Sequence, residues 1–188
     1  ERRVTAHTLG KLVANLESRD PYLHGHSQRV ARLAEDLGAR VGFEGAELSQ
    51  LALAGLLHDI GRFEVEAALW TKPGPLTSAD WAIVRRHPEE SVRLLGESEW
   101  PDLIINAVRY HHERWDGSGY PRGLREDMIP FEARVLAVAD SFDALTNARA
   151  HRPALSTAEA LRVLRVEAGT KHDPLLVEAM LRGAEATA

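Results

Sequence analysis

Leu51-Ala52-Leu53-Ala54-Gly55-Leu56-Leu57-His58-Asp59-Ile60-Gly61-Arg62 is the stretch whose reading decides the fold. Its first half is apolar on every side, the mark of a helix at the centre of a bundle rather than on its surface. It ends on an imidazole and a carboxylate side by side. Burying two ionisable groups is costly unless they are paired or ligate a metal. A lone His-Asp pair is more often a local hydrogen-bonded pair than a site. The weight therefore falls on what the rest of the chain supplies.

Working outward, the flanking segments also carry helical spacing. Leu9, Leu12, Val13 and Leu16 line a helix expected over Thr5 to Arg19, which Asp20-Pro21 ends. Val30, Leu33, Ala34, Leu37 and Val41 line a second, from about His24 to Val41, with Gly42 as its stop. His26 lies four residues before Val30 and so faces the core side. The central helix is expected over Gly45 to His58, broken by Gly61, with 62–76 irregular. Thr77-Ser78-Ala79-Asp80 resembles a capping box with Asp in the acidic place. Pro88, just after His87, either kinks the next helix or restarts it. Leu103 to His112 reads as a helix ending in two adjacent His, and Asp116 to Pro121 as a loop. A helix from Pro130 to about Asn147 carries Asp140 and Asp143 on one face. Ser156 or Thr157 caps another helix, with Leu161, Leu164 and Val166 apolar, and Asp173-Pro174 opens the last. No strand-period segment stands out. The fold class is all-α, a bundle of about seven or more helices.

The chain has 188 residues, enough for one domain with a sizeable core. A net charge of -5 argues against a nucleic-acid polymer as partner. It leaves room for a small phosphorylated substrate met by a local Arg cluster. The absence of Cys excludes disulfides, thiolate metal sites and Cys nucleophiles. No apolar run reaches the roughly 18 residues of a membrane span, and no signal peptide is visible. A cytoplasmic location is expected.

Five of the nine His sit on or at the ends of apolar helices: His26, His58, His87, His111 and His112. Asp59 and Asp140 share that placement. The remaining His7, His24, His151 and His172 read as surface or supporting residues. Each of the seven alone has an ordinary structural explanation. Seven together, without thiolate, suit iron, manganese, zinc or nickel. They exceed the needs of one ion, so a pair of ions bridged by a carboxylate is the economical arrangement, with Asp59 the natural bridge. Two ions about 3.5–4 Å apart can activate water and clamp a phosphate.

The chain resembles the HD-GYP family of metal-dependent phosphodiesterases, a branch of the HD phosphohydrolase superfamily. The matching text runs in family order. It begins with Asp20 to Val30, Leu57 to Gly61, Lys72 to Thr77 and His87-Pro88. It ends with His111-His112-Glu113-Arg114-Trp115-Asp116-Gly117-Ser118-Gly119-Tyr120-Pro121 and Ala139 to Thr146. The resemblance implies an HD-type bundle with the metal site in its core. It implies hydrolysis of cyclic di-GMP to pGpG, and in many members on to GMP, by a metal-bridging hydroxide. By carry-over, His26, His58, Asp59 and Asp140 hold one ion, and Asp59, His87, His111 and His112 the other, iron or manganese being expected. Tyr120, Arg149 and Arg152 match substrate-binding positions. Residues 1–19 would connect to an upstream sensor or receiver domain and 20–188 form the HD-GYP domain. The first or last helix is a candidate dimer surface.

Three departures matter. Arg62 stands where the family commonly has a Lys that polarises the phosphate or protonates the leaving group. Arg keeps the charge but is a poor proton donor. Tyr22 stands where members with a third ion carry Glu, so two ions are expected. Arg149-Ala150-His151-Arg152 replaces an Arg-Pro-Tyr-Arg run, which puts nucleotide affinity in question. Two rival functions follow: a catalytically weakened cyclic-dinucleotide-binding signalling module, and an HD phosphohydrolase acting on another nucleotide.

Overall fold

The computed structural model describes residues 2–17, 23–64, 69, 72, 74–96, 100–149 and 152–185. Its helices are α1 (Arg2–Glu17), α2 (His26–Arg40), α3 (Ala46–Leu57), α4 (Ser78–Val84), α5 (His87–Leu95), α6 (Asp102–Tyr110), α7 (Phe131–Thr146), α8 (Thr157–Glu167) and α9 (Pro174–Glu185). Short 3-10 turns cover Ile60–Glu64 and Glu126–Met128. Among the described residues the only β-type pairings are two isolated bridges, Arg149 with Arg152 and Ala168 with His172.

The bundle is organised around α3. Helix α2 packs along it, and α6 and α7 close the other sides. Val30, Ala34, Ala54, Leu57, Ile104, Val108, Leu136 and Ala139 form one buried cluster beneath the His and Asp residues. Leu37, Leu51, Val138, Leu164, Leu176 and Val177 form a second, towards α8 and α9. Gly55 explains how close α2 and α3 lie: a Cβ there would come within 2.7 Å of the Ala31 backbone. Val13 ties α1 to the first cluster. Val166, expected on the apolar face of α8, is 82% exposed.

Capping chemistry sets several boundaries. Thr77 and Asp80 form the reciprocal capping box of α4, and Ser156 with Glu159 does the same for α8. Asp173 Oδ1 accepts the Leu175 N–H at 2.8 Å at the start of α9. Pro88 lies in the first turn of α5, so the chain restarts there rather than kinking. The reading of Gly61 as a helix breaker is corrected. Helix α3 has already ended at Leu57, and Gly61 is needed for a close approach. A Cβ there would lie 2.1 Å from the His87 carbonyl oxygen and 2.4 Å from the Ser91 nitrogen.

Candidate metal centre

Each candidate ligand sits where a helix begins, ends or turns inward. His26 is the first residue of α2, entered through Gly25 in the left-handed region (φ 72°). Glu17, at the end of α1, accepts the Gly25 and Ser27 N–H groups at 3.0 and 2.7 Å and so fixes that entry. His58 and Asp59 form the turn after α3. Ser91 of α5 donates to the His58 carbonyl and accepts the Gly61 N–H, both at 2.8 Å. His87 opens α5, His111 and His112 follow α6, and Asp140 lies within α7.

Hydrogen bonds fix the imidazole tautomers. Nδ1 of His58, His87 and His111 lies 2.8, 2.7 and 2.7 Å from the carbonyls of Gly55, Val84 and Val108. A carbonyl only accepts, so in each ring Nδ1 carries the proton and Nε2 presents a lone pair. Nε2 of His58 and His111 is buried with no hydrogen-bond partner. Nε2 of His112 faces Nε2 of His87 at 3.1 Å. His26 instead donates Nδ1 to Asp143 Oδ2 at 2.7 Å, and Arg29 Nε bonds the other Asp143 oxygen at 2.6 Å.

Two groups result. Asp59, His87, His111 and His112 offer ligand atoms within 4.8 Å of one another, and His26, His58 and Asp140 form a second such set. Asp59 faces both: Oδ1 is 3.2 Å from His87 Nε2, while Oδ2 is 3.5 Å from His58 Nε2 and 4.0 Å from His26 Nε2. Asp140 Oδ1 is 3.4 Å from His26 Nε2. Burial pushes His111 down to about 3, helped by His58 and His87. It likewise holds His112 well below its ordinary value. Burial would raise Asp59, but His58, Arg62 and His87 outweigh it and keep it well below the usual carboxylate range. Neutral imidazoles and ionised carboxylates are the ligating forms. Inward lone pairs without protein partners therefore fit divalent cations, and the chain has groups that could hold them.

The other expected residues line the approach. A cavity of about 550 Å³ opens over His111, His112 and Asp140, walled by Tyr120, Arg149 and Arg152. A second opening, over Asp59 and Arg62, shares Tyr120 and Arg149 with it. The Tyr120 ring lies 4.8 Å from that of His112. Its loop is folded back by Glu113, which accepts the Arg122 and Leu124 N–H groups at 2.7 and 3.0 Å. Arg152 directs its guanidinium to the carbonyls of Ala144 and Leu145. Arg62 donates Nη1 to Asp59 Oδ2 at 2.9 Å. Tyr22, Ala150 and His151, which carry two of the sequence departures, lie outside the described residues.

Some site residues escaped the sequence reading. The sequence puts Asp143 on the Asp140 face and gives it no role. Its only signal was that three-residue spacing, and nothing local pointed to Ser91, Glu113 or Glu17. His172 takes the supporting of its two expected places, buried in the cavity wall with Nε2 3.4 Å from Glu167. His24 is exposed, as expected.

An all-α bundle whose helix ends converge five imidazoles and two carboxylates defines a class, that of His/Asp metal-centre domains. The chain belongs to the HD domain family, whose profile matches residues 12–176. It is 38% identical over 168 residues to a cyclic di-GMP phosphodiesterase of Thermotoga maritima, covering 88% of this chain and 46% of that protein. It is 35% identical over 180 residues to the 3′3′-cGAMP-specific phosphodiesterase 2 of Vibrio cholerae, covering 93% and 34%. The crystal structure of a cyclic GMP-AMP specific phosphodiesterase of V. cholerae, V-cGAP3, superposes with a TM-score of 0.75 at 18% identity, covering 96% and 48%. The chain thus spans less than half the length of these relatives.

Proposed function

We propose that the chain is a phosphodiesterase domain of the HD-GYP type that hydrolyses cyclic di-GMP to pGpG and on to GMP. In this reading two divalent first-row ions, iron or manganese, are held by His26, His58, Asp59 and Asp140 and by Asp59, His87, His111 and His112. The observation that carries it is Asp59, whose two oxygens face the two ligand groups beneath an opening that Arg62 and Arg149 line. Bound ions of this kind supply Lewis acidity, making water nucleophilic at neutral pH and drawing charge from phosphate oxygens.

The chain's own residues supply the rest. The Nδ1–H bonds hold the imidazoles in their ligating tautomer. Asp143 orients His26 from behind, as such outer partners commonly do. Arg149 offers a donor fork suited to phosphate, and Tyr120 closes the cavity beside His112. Arg62 places a fixed positive charge next to Asp59. An adjoining regulatory domain is part of the proposal, supported by the greater length of the relatives.

The test is product analysis on cyclic di-GMP with iron- or manganese-loaded protein under reducing conditions, alongside metal analysis. Linear pGpG followed by GMP is expected. No turnover in either metal form would refute the reading. A competition series with 3′3′-cGAMP identifies the preferred dinucleotide. One observation favours a weakened enzyme as second reading: Arg62 is bonded to the carboxylate proposed to bridge the ions.

A further inference from the structure

One wall of the large cavity is built from groups that belong neither to the ligand set nor to the Arg149 and Arg152 pair. Trp81 and Arg85 lie four residues apart on α4 and its C-cap, and so on the same helix face. The capping box of Thr77 and Asp80, with Lys72 paired to Asp80, fixes this short helix in place. The Arg85 guanidinium lies 5.9 Å from the centre of the Trp81 ring and 5.4 Å from that of Tyr120. The indole is 44% exposed, a large apolar surface left open at a cavity edge. Arg85 is exposed too, and no ion pair is found for it among the described residues, whereas its neighbour Arg86 pairs with Glu90. His112, Tyr120, Arg85 and Trp81 therefore form a chain of contacts from the cavity floor to its rim, with steps of 4.8, 5.4 and 5.9 Å.

We infer that Trp81 and Arg85 form a purine-recognition wall, Trp81 as a stacking surface and Arg85 as the group that selects guanine. The inference rests on the proposed function and names the base that the same cavity selects. A phosphodiester at the His/Asp floor carries its base one ribose away, and Trp81 and Arg85 line the same cavity as His111, His112 and Asp140. An indole face accepts any base by stacking. Arg has only donors. Guanine presents two acceptors, N7 and O6, on one edge, whereas adenine presents N7 beside an amino donor. Arg85 can serve both guanine acceptors at once and meets a donor on adenine. Its contact with the Tyr120 and Trp81 rings fixes the plane of the fork.

The test uses manganese-loaded native protein and the variants Arg85→Ala, Arg85→Lys, Trp81→Ala and Trp81→Phe, each checked for unchanged metal content and melting. Steady-state kinetics and tryptophan-fluorescence quenching are measured with cyclic di-GMP and cyclic di-AMP. Arg85→Ala is expected to raise KM for cyclic di-GMP by about tenfold or more, the loss falling on KM rather than kcat, and to erase the preference over cyclic di-AMP. Arg85→Lys keeps the charge without the fork and does not restore the preference. Trp81→Ala weakens both dinucleotides alike and abolishes most of the quenching, and Trp81→Phe recovers the affinity. Equal losses for both dinucleotides in Arg85→Ala would make Arg85 a general phosphate cation and overturn the assignment. Unchanged KM and quenching in the variants, with native hydrolysis intact, overturns the inference alone. Native binding without hydrolysis overturns the proposed function alone, and no native binding overturns both.

Discussion

Asp143 stands behind His26, and Arg29 holds its other oxygen. Burial would raise this carboxyl, but the hydrogen bonds from His26 and Arg29 outweigh that and keep it below its ordinary range. Asp143→Asn removes the charge that holds the His26 ring and leaves Arg29 without a charged partner there. Metal affinity, followed by competition with a chelator, is expected to fall about 10–100-fold, with the fold intact by circular dichroism. At Arg62 the expectation runs the other way. Arg62→Lys keeps a cation beside Asp59 and adds a group able to give up a proton. Turnover of cyclic di-GMP is expected to rise, by up to about 100-fold if proton donation limits the native chain, with dinucleotide affinity unchanged. The seven candidate ligands stand out in the sequence because ionisable residues on or at the ends of apolar helices conflict with burial unless something uses them. Asp143 does not. Its partner His26 is 117 positions away, and no local pattern joins them.

Helix α5 does two things for the centre: it opens with His87, and through Ser91 it clamps the turn that carries His58 and Asp59. Gly61 makes that clamp fit. In Gly61→Ala the added methyl meets the His87 carbonyl and the Ser91 nitrogen, both backbone atoms, so α5 has to move away. A loss of about 1–3 kcal/mol is expected, the usual cost of overpacking, read as a lower urea midpoint. Metal content should fall with it, because the displaced helix carries a ligand. Local chemistry made some boundaries legible: the capping box at Thr77 and the first-turn Pro88 are written in consecutive residues. Gly61 was misread because a helix breaker and a glycine packed under a neighbouring helix look alike in one dimension. Val166 was misread for a related reason. Helical spacing names an apolar stripe but cannot say where the neighbouring helices end.

Across the whole molecule, the buried imidazoles of His111 and His112 make stability depend on pH, and the ligand groups make it depend on cations. His111 sits at about 3 in the folded state, against an ordinary 6.5, and His112 is also depressed. Above about 6.5 neither the folded nor the unfolded chain protonates these rings, so they add no pH dependence. Below it the unfolded chain takes up protons that the folded one refuses. For His111 the metal-free protein is therefore expected to lose about 1.4 kcal/mol per pH unit as pH falls from about 6.5 towards 4, seen as falling melting temperatures, and His112 adds a loss of the same sign. Each ion bound at a thousandfold excess over Kd adds about 4 kcal/mol, so chelation at neutral pH is expected to lower the melting temperature by about 10 °C per ion removed. The all-α architecture was legible in helical periodicity. The cavity was not, because Trp81, Tyr120 and Arg149 meet only once α4, the loop after α6 and the end of α7 are assembled. Three of the imidazoles, finally, are aimed by a carbonyl three residues earlier in their own segment. These three need neither another ligand nor a bound ion to find their direction. Docking the helices is enough to build a stiff claw, so an arriving ion spends little of its binding energy on ordering side chains. Such a claw favours an ion whose radius suits the spacing of those three tips, because their rings are held against turning to follow it.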